Sequence, residues 1–121
     1  MTIREAIEAV DRLKPNAYPE EDKLRWLSDL DGTITKELLQ THAGGEDAEP
    51  PVYTENDYNK PLLADDPYCG IYIHYLFAQI DYHNGEFARY NNAQAAFNTG
   101  YTAFAAAYNQ AHTPTGHTIL Y

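Results

Sequence analysis

The sequence predicts an all-α fold, a four-helix bundle-like core built on a C-terminal helical hairpin, with a long irregular loop between helices two and three. Three patterns carry that prediction. Phe87, Tyr90, Gln94, Phe97, Tyr101, Phe104, Tyr108 and Ala111 recur at alternating steps of three and four, which aligns them on one helix face. The stretch Ile71, Ile73, Tyr75, Leu76, Phe77, Ala78, Ile80 and Tyr82 is apolar almost all round, as a helix covered on several sides must be. Two shorter amphipathic patterns precede them, each with a start and a stop signal.

The first helix opens on Thr2-x-x-Glu5, a capping box that satisfies two orphan amides reciprocally. Ile3, Ala6, Ile7, Val10 and Leu13 mark its apolar face, and Pro15-Asn16 ends it. In the second, Pro19 suits the first helical turn, and Glu20, Glu21 and Asp22 place negative charge at the positive end of the helix dipole. Leu24, Leu27, Leu30, Ile34 and Leu38 continue the buried stripe, with Trp26 and Leu39 beside it, and His42 to Gly45 stop it. Asp31-Gly32-Thr33 predicts a kink or a close contact inside this helix, because glycine costs about 1 kcal/mol relative to alanine there.

From Ala43 to Asp66 helical periodicity disappears, and an irregular stretch of that length is usually functional or mobile. Leu62-Leu63-Ala64 anchors its far end, and Asp65-Asp66-Pro67 reads as a cap with proline at the first position of helix three. Asn84-Gly85 predicts a turn before helix four, one continuous bent helix being the alternative. Helix four runs from Glu86 to His112, about 40 Å. Phe87, Tyr90, Phe97, Tyr101, Phe104 and Tyr108 form its core stripe. The rear face, Ala88, Ala93, Ala95, Ala96, Ala103, Ala105, Ala106 and Ala107, admits a second helix at short distance, from this chain or a neighbour. Residues 1–112 thus form one helical domain with loop 43–66, and 113–121 form a tail whose Ile119, Leu120 and Tyr121 suit docking on a partner.

Charge is unevenly spread. The chain carries 18 acids against 8 bases, a formal net charge of −10, which disfavours binding that depends on neutralising phosphates. Beyond residue 60 the only charged residues are Asp65, Asp66, Asp81, Glu86 and Arg89. Helix four is instead dressed in asparagine, glutamine and threonine, which lose less on leaving water than lysine or glutamate do, so contact between copies is expected. Cys69 is the only cysteine, excluding an intrachain disulfide and a four-cysteine zinc site. With neither an apolar leader nor a run of about 18 apolar residues, a soluble intracellular chain is expected, with no membrane partner.

Chemistry is sparsely signalled. His74, Asp81 and His83 are the tightest metal-like grouping, but two helical turns, about 10 Å, separate His74 from Asp81. Glu20, Glu21 and Asp22 are explained by the helix dipole, and Asp29-x-Asp31-Gly32 lacks the remaining ligands of a calcium loop. No nucleophile elbow, phosphate loop, dinucleotide fingerprint or His-Glu-x-x-His motif occurs. The aromatic stripe could stack bases or sugars, but its regular spacing in an acidic chain reads as core. The reading assigns no catalytic residue, cofactor, metal ligand or small-molecule substrate.

Three segments carry a resemblance. Ile3-x3-Ile7-x2-Val10-Asp11-x-Leu13-Lys14-Pro15-Asn16, Lys23-Leu24-Arg25-Trp26-Leu27-Ser28-x-Leu30-Asp31-Gly32, and Ile71-Tyr72-x-His74-Tyr75-x3-Gln79-Ile80-Asp81-x2-Asn84-Gly85-Glu86-x3-Tyr90-Asn91-Asn92 are similar to small proteins encoded in the head-to-tail region of siphophage and prophage genomes. What the resemblance implies is a non-enzymatic head–tail connector, or adaptor. Such a protein assembles as a homo-oligomeric ring beneath the portal and meets the next neck component, in the virion or, before assembly, in the host cytoplasm. In that picture Tyr53, Tyr58, Leu62 and Leu63 of the loop, with Ile119, Leu120 and Tyr121 of the tail, are the residues expected to touch partners. The alternatives are a small metal-dependent enzyme with a His/Asp site and a monomeric protein-binding module.

Overall fold

Thr2 opens the first helix, α1 (Ile3–Leu13), through reciprocal capping: its Oγ1 accepts the Glu5 amide at 3.1 Å while Glu5 Oε1 accepts the Thr2 amide at 2.8 Å. The computed structural model describes residues 1–115. Ile3, Ala6, Ile7 and Val10 are buried as the spacing predicts. Leu13, expected on the same face, is the last residue of the helix and stands 60% exposed.

The second helix, α2 (Glu20–Ile34), starts one residue after the expected position, since Pro19 is its extended N-cap and not part of its first turn. Asp31-Gly32-Thr33 neither kinks nor touches anything closely. A Cβ at Gly32 would find only Pro50, at 3.9 Å. The departure from α geometry comes just afterwards, where Thr35–Leu39 continue the helix as a wider π turn, the Gln40 amide reaching back five residues to the Thr35 carbonyl at 2.9 Å.

The loop is irregular, but it is packed. It holds one short 3-10 turn, Glu55–Asp57, capped by Thr54. It then passes the start of α1, where the Ile3 amide donates to the Lys60 carbonyl at 3.1 Å and the Arg4 amide to the Tyr58 carbonyl at 2.9 Å. Helix N-termini leave amides without partners, and here the loop supplies the missing acceptors.

The third helix, α3 (Gly70–His83), begins three residues later than the proline signal suggested, after a turn in which the Tyr68 amide bonds to the Asp65 carbonyl at 2.7 Å. Asn84, Gly85 and Glu86 separate it from the fourth, α4 (Phe87–Ala111), and Gly85 takes φ +75°, the left-handed conformation glycine adopts without strain. Ring pairs fix an antiparallel arrangement of α3 and α4: Tyr68 with Phe104 at 5.9 Å, Tyr75 with Phe97 at 5.3 Å, and Tyr82 with Tyr90 at 5.4 Å. Gly100 allows this approach, because a Cβ there would lie 3.0 Å from Ile71 Cγ2. After α4 the chain folds back along residues 41–43, with the Ala43 amide donating to the Thr113 carbonyl at 2.7 Å and the Thr115 amide to the Thr41 carbonyl at 3.0 Å. The fold of the described residues is all-α, its only β pairing being two isolated bridges, Thr2 with Pro61 and His42 with Pro114.

Candidate functional site

Asp31 lies at the centre of the molecule with no solvent exposure. Its Oδ1 accepts the Tyr72 hydroxyl and its Oδ2 the Tyr53 hydroxyl, each at 2.5 Å, and Oδ2 also takes the Leu63 amide at 3.1 Å. Tyr72 in turn accepts the Ala64 amide at 2.8 Å. One carboxylate therefore joins α2, the loop and α3, and two loop amides that burial would otherwise orphan are satisfied. Burial raises the Asp31 carboxyl above the ordinary aspartate value, and the three hydrogen bonds offset part of that shift. Burial and the neighbouring carboxylate also raise both tyrosine hydroxyls well above their usual range, so they remain protonated donors.

Tyr53 and Leu62, expected to touch partners, are thus buried in this chain's own core; Leu63 is half-buried and gives its amide to Asp31. Tyr58 is half-buried too. Its hydroxyl donates to Glu20 Oε2 at 2.5 Å, and the Arg4 guanidinium lies 4.9 Å above its ring. Tyr53 and Tyr58 share the lining of a cleft of about 570 Å³ with Glu20, Glu21 and Glu55. Ile119, Leu120 and Tyr121 lie outside the described residues. Sequence reasoning treated Asp31 as a weak helix position and a rejected calcium ligand. Its role had no local signal, because its partners are 22, 32 and 41 residues away.

The possible metal grouping does not converge. Asp81 is buried and receives the Lys14 ammonium at 2.7 and 2.9 Å, whereas His83 stacks on Trp26 at 5.5 Å. Among the described residues, no three histidine, cysteine or acidic side chains are grouped to hold an ion. His42 is also fully engaged: Nδ1 lies 2.5 Å from the Leu38 carbonyl and Nε2 lies 2.7 Å from the Asn109 side-chain amide, tying the end of the π turn to α4.

The outer surface departs from ordinary composition. Of the 25 residues of α4, only Ala93, Phe97 and Phe104 are buried. Tyr90, Tyr101 and Tyr108 of the expected core stripe are half-buried, and Tyr101 donates to Glu37 Oε1 at 2.7 Å. Phe87 is a correction. It sits at the first position of α4, beyond the reach of α2, and is 59% exposed. It forms a projecting aromatic group with Tyr82, 53% exposed, and Tyr90 at the turn end of the α3–α4 pair. On another side of α4, two adjoining hollows of about 390 and 320 Å³ share His74 and Ala96 and run along the α3–α4 seam. From 90 to 111 there is no charged residue.

No helix among the described residues is long and apolar enough to cross a membrane. No family model, no curated protein and no solved structure matches the chain.

Proposed function

We propose that this chain is a non-enzymatic assembly component of a tailed-phage or prophage neck, a head–tail connector or adaptor that associates with its own copies and docks between the portal and the next neck component. The observation that carries the reading is α4: a 25-residue helix with three buried residues and no charge after Arg89, in a chain of net charge −10. A helix face left to water is normally kept charged, whereas one covered by protein loses less on contact when it is neutral and small. The resemblance of the three sequence segments to head-to-tail proteins supports the same reading. So does the interior, where Asp31 ties the loop to two helices and makes a stiff scaffold for surface contacts. The net negative charge suits a part that lies near packaged DNA without adhering to its phosphates.

Two measurements test it. Sedimentation velocity at tens of micromolar should give a species larger than the 13.7 kDa chain. Mass spectrometry of purified particles made by the encoding genome should recover its peptides in constant ratio to the portal. A monomer in the first measurement and absence from particles in the second would overturn the proposal.

A further inference from the structure

We infer that successive copies join head to tail, the aromatic projection of Tyr82, Phe87 and Tyr90 on one copy seating in the α3–α4 groove of the next. This rests on the assembly reading above and specifies its contact. Around α4, Phe97 and Phe104 point at α3, and successive residues turn by about 100°. Ala96 and Ala103, which line the groove, therefore lie about 100° to one side of that direction. Phe87 falls about 80–100° to the other side. Projection and groove thus occupy opposite flanks of one helix.

That placement limits how they can be used. The groove cannot be filled by the projection of its own chain, which lies on the far flank and about 14–24 Å along the same rigid helix. A twofold contact through either flank alone would set projection on projection or groove on groove. Joining unlike flanks needs a heterologous contact, the kind that closes into a ring when the rotation between copies permits.

Shape and charge suit the pairing. The groove is walled by small residues, Ala96, Gly100 and Ala103, with Ile71 and Tyr68 beside them, so it offers an apolar hollow of about 390 Å³ to an aromatic ring. Lys14 and Arg89 stand at its turn-side end, and Glu86 flanks the projection next to Phe87, which brings unlike charges together across the joint. Elsewhere two copies of a −10 chain repel, so a contact through the uncharged length of α4 is the least opposed. Covering two or three aromatic rings removes about 150–250 Å² each from water, which makes them anchors within an interface completed by the α4 flank.

The test uses one variant on each flank, Phe87→Glu and Ala103→Glu, both at exposed positions, followed by sedimentation velocity. Each alone should sediment as a 13.7 kDa monomer. Mixed in equal amounts they retain one intact projection and one intact groove, and should give a complex of about 27 kDa, twice the chain, that grows no further. A mixture that stays monomeric, or either variant assembling like the wild type, overturns the inferred contact. If the wild type assembles and both variants do too, only this contact falls; if the wild type is itself monomeric, the assembly reading falls with it. Circular dichroism confirms folding, and Tyr82→Ser replaces Phe87→Glu should the latter fail to fold.

Discussion

Tyr72 donates its hydroxyl to Asp31 at 2.5 Å across 41 residues of sequence, and the same oxygen accepts the Ala64 amide at 2.8 Å. Tyr53 holds the other carboxylate oxygen but accepts nothing in return that would be orphaned by its loss. Tyr72→Phe therefore removes a donor from a buried carboxylate and also strands a buried amide, whereas Tyr53→Phe does only the first. Each lost partner costs about 1–3 kcal/mol when the group left behind is buried. Urea unfolding should rank Tyr72→Phe as the more destabilising of the two. Equal losses, or the reverse order, would show that Asp31 does not organise this region as described.

Asp31 also predicts a pH dependence. Burial lifts its carboxyl above the ordinary 3.8 despite the hydrogen bonds from Tyr53, Tyr72 and Leu63. A carboxyl raised on folding binds its proton more tightly in the folded chain. Its contribution is fullest below the unfolded value and is lost as pH rises through the folded one. Glu5 and Asp57 slope the other way, since hydrogen bonds with Thr2 and Thr54 hold them below their ordinary values. Comparing wild type with Asp31→Asn cancels those shared contributions. The stability advantage of the wild type should be widest near about pH 4 and narrow towards about pH 7. An advantage that widens as pH rises would mean that the three donors outweigh burial.

Much of the helical order was legible because it rests on local signals. The Thr2–Glu5 box, the stop after Leu13, the Asn84-Gly85 turn and the apolar sweep of α3 each depend on residues within a few positions of one another. What escaped depends on distance in sequence. A periodic pattern places Phe87 on the same face as Phe97, but it cannot say that the face outruns its covering helix at the α4 start. The loop looked unanchored because Tyr53, Leu62 and Ala64 carry no period, yet their burial follows from one carboxylate in a different element. Gly32 drew notice as the weak link, while its neighbour Asp31 held the arrangement together. The possible surface for partners was legible only as missing charge in residues 90–111, and that much survives in the structure.

Lys14 and Asp81 offer a third test. Asp81 is buried, and Lys14, 23% exposed, is its cationic partner at 2.7 Å and also lies 5.0 Å above the Phe77 ring. Removing one member of a buried pair costs about 3–5 kcal/mol, and partial access of water to Lys14 reduces that to about 1–3 kcal/mol here. Lys14→Met should be destabilised by that amount, and adding Asp81→Leu to it should recover part of the loss, because the stranded charge is gone. A double variant weaker than the single one would place the value of Asp81 elsewhere, in packing or in a partner other than Lys14.

The three phenylalanines of α4 separate what the aromatic spacing can and cannot say. Phe97 stacks on Tyr101 at 5.6 Å and meets Tyr75 of α3, and Phe104 meets Tyr68 at 5.9 Å, so both are anchored between helices and closed off from water. Replacing either by alanine deletes a ring the surrounding helices cannot collapse onto, and should cost about 3–5 kcal/mol. Phe87 shares their period but has more than half its surface in water, so Phe87→Ala should shift the unfolding free energy by no more than about 0.5 kcal/mol in dilute monomer. The same Phe87→Ala variant should nonetheless weaken self-association, because a ring that contributes little within one chain is free to contribute between chains. Measuring folding by urea titration at low concentration and association by sedimentation at high concentration separates the two effects. Losses below about 1 kcal/mol for Phe97→Ala and Phe104→Ala would contradict their placement between α3 and α4. A large folding loss for Phe87→Ala would mean that the turn end of the molecule is packed within the single chain and offers no projecting ring to a neighbour.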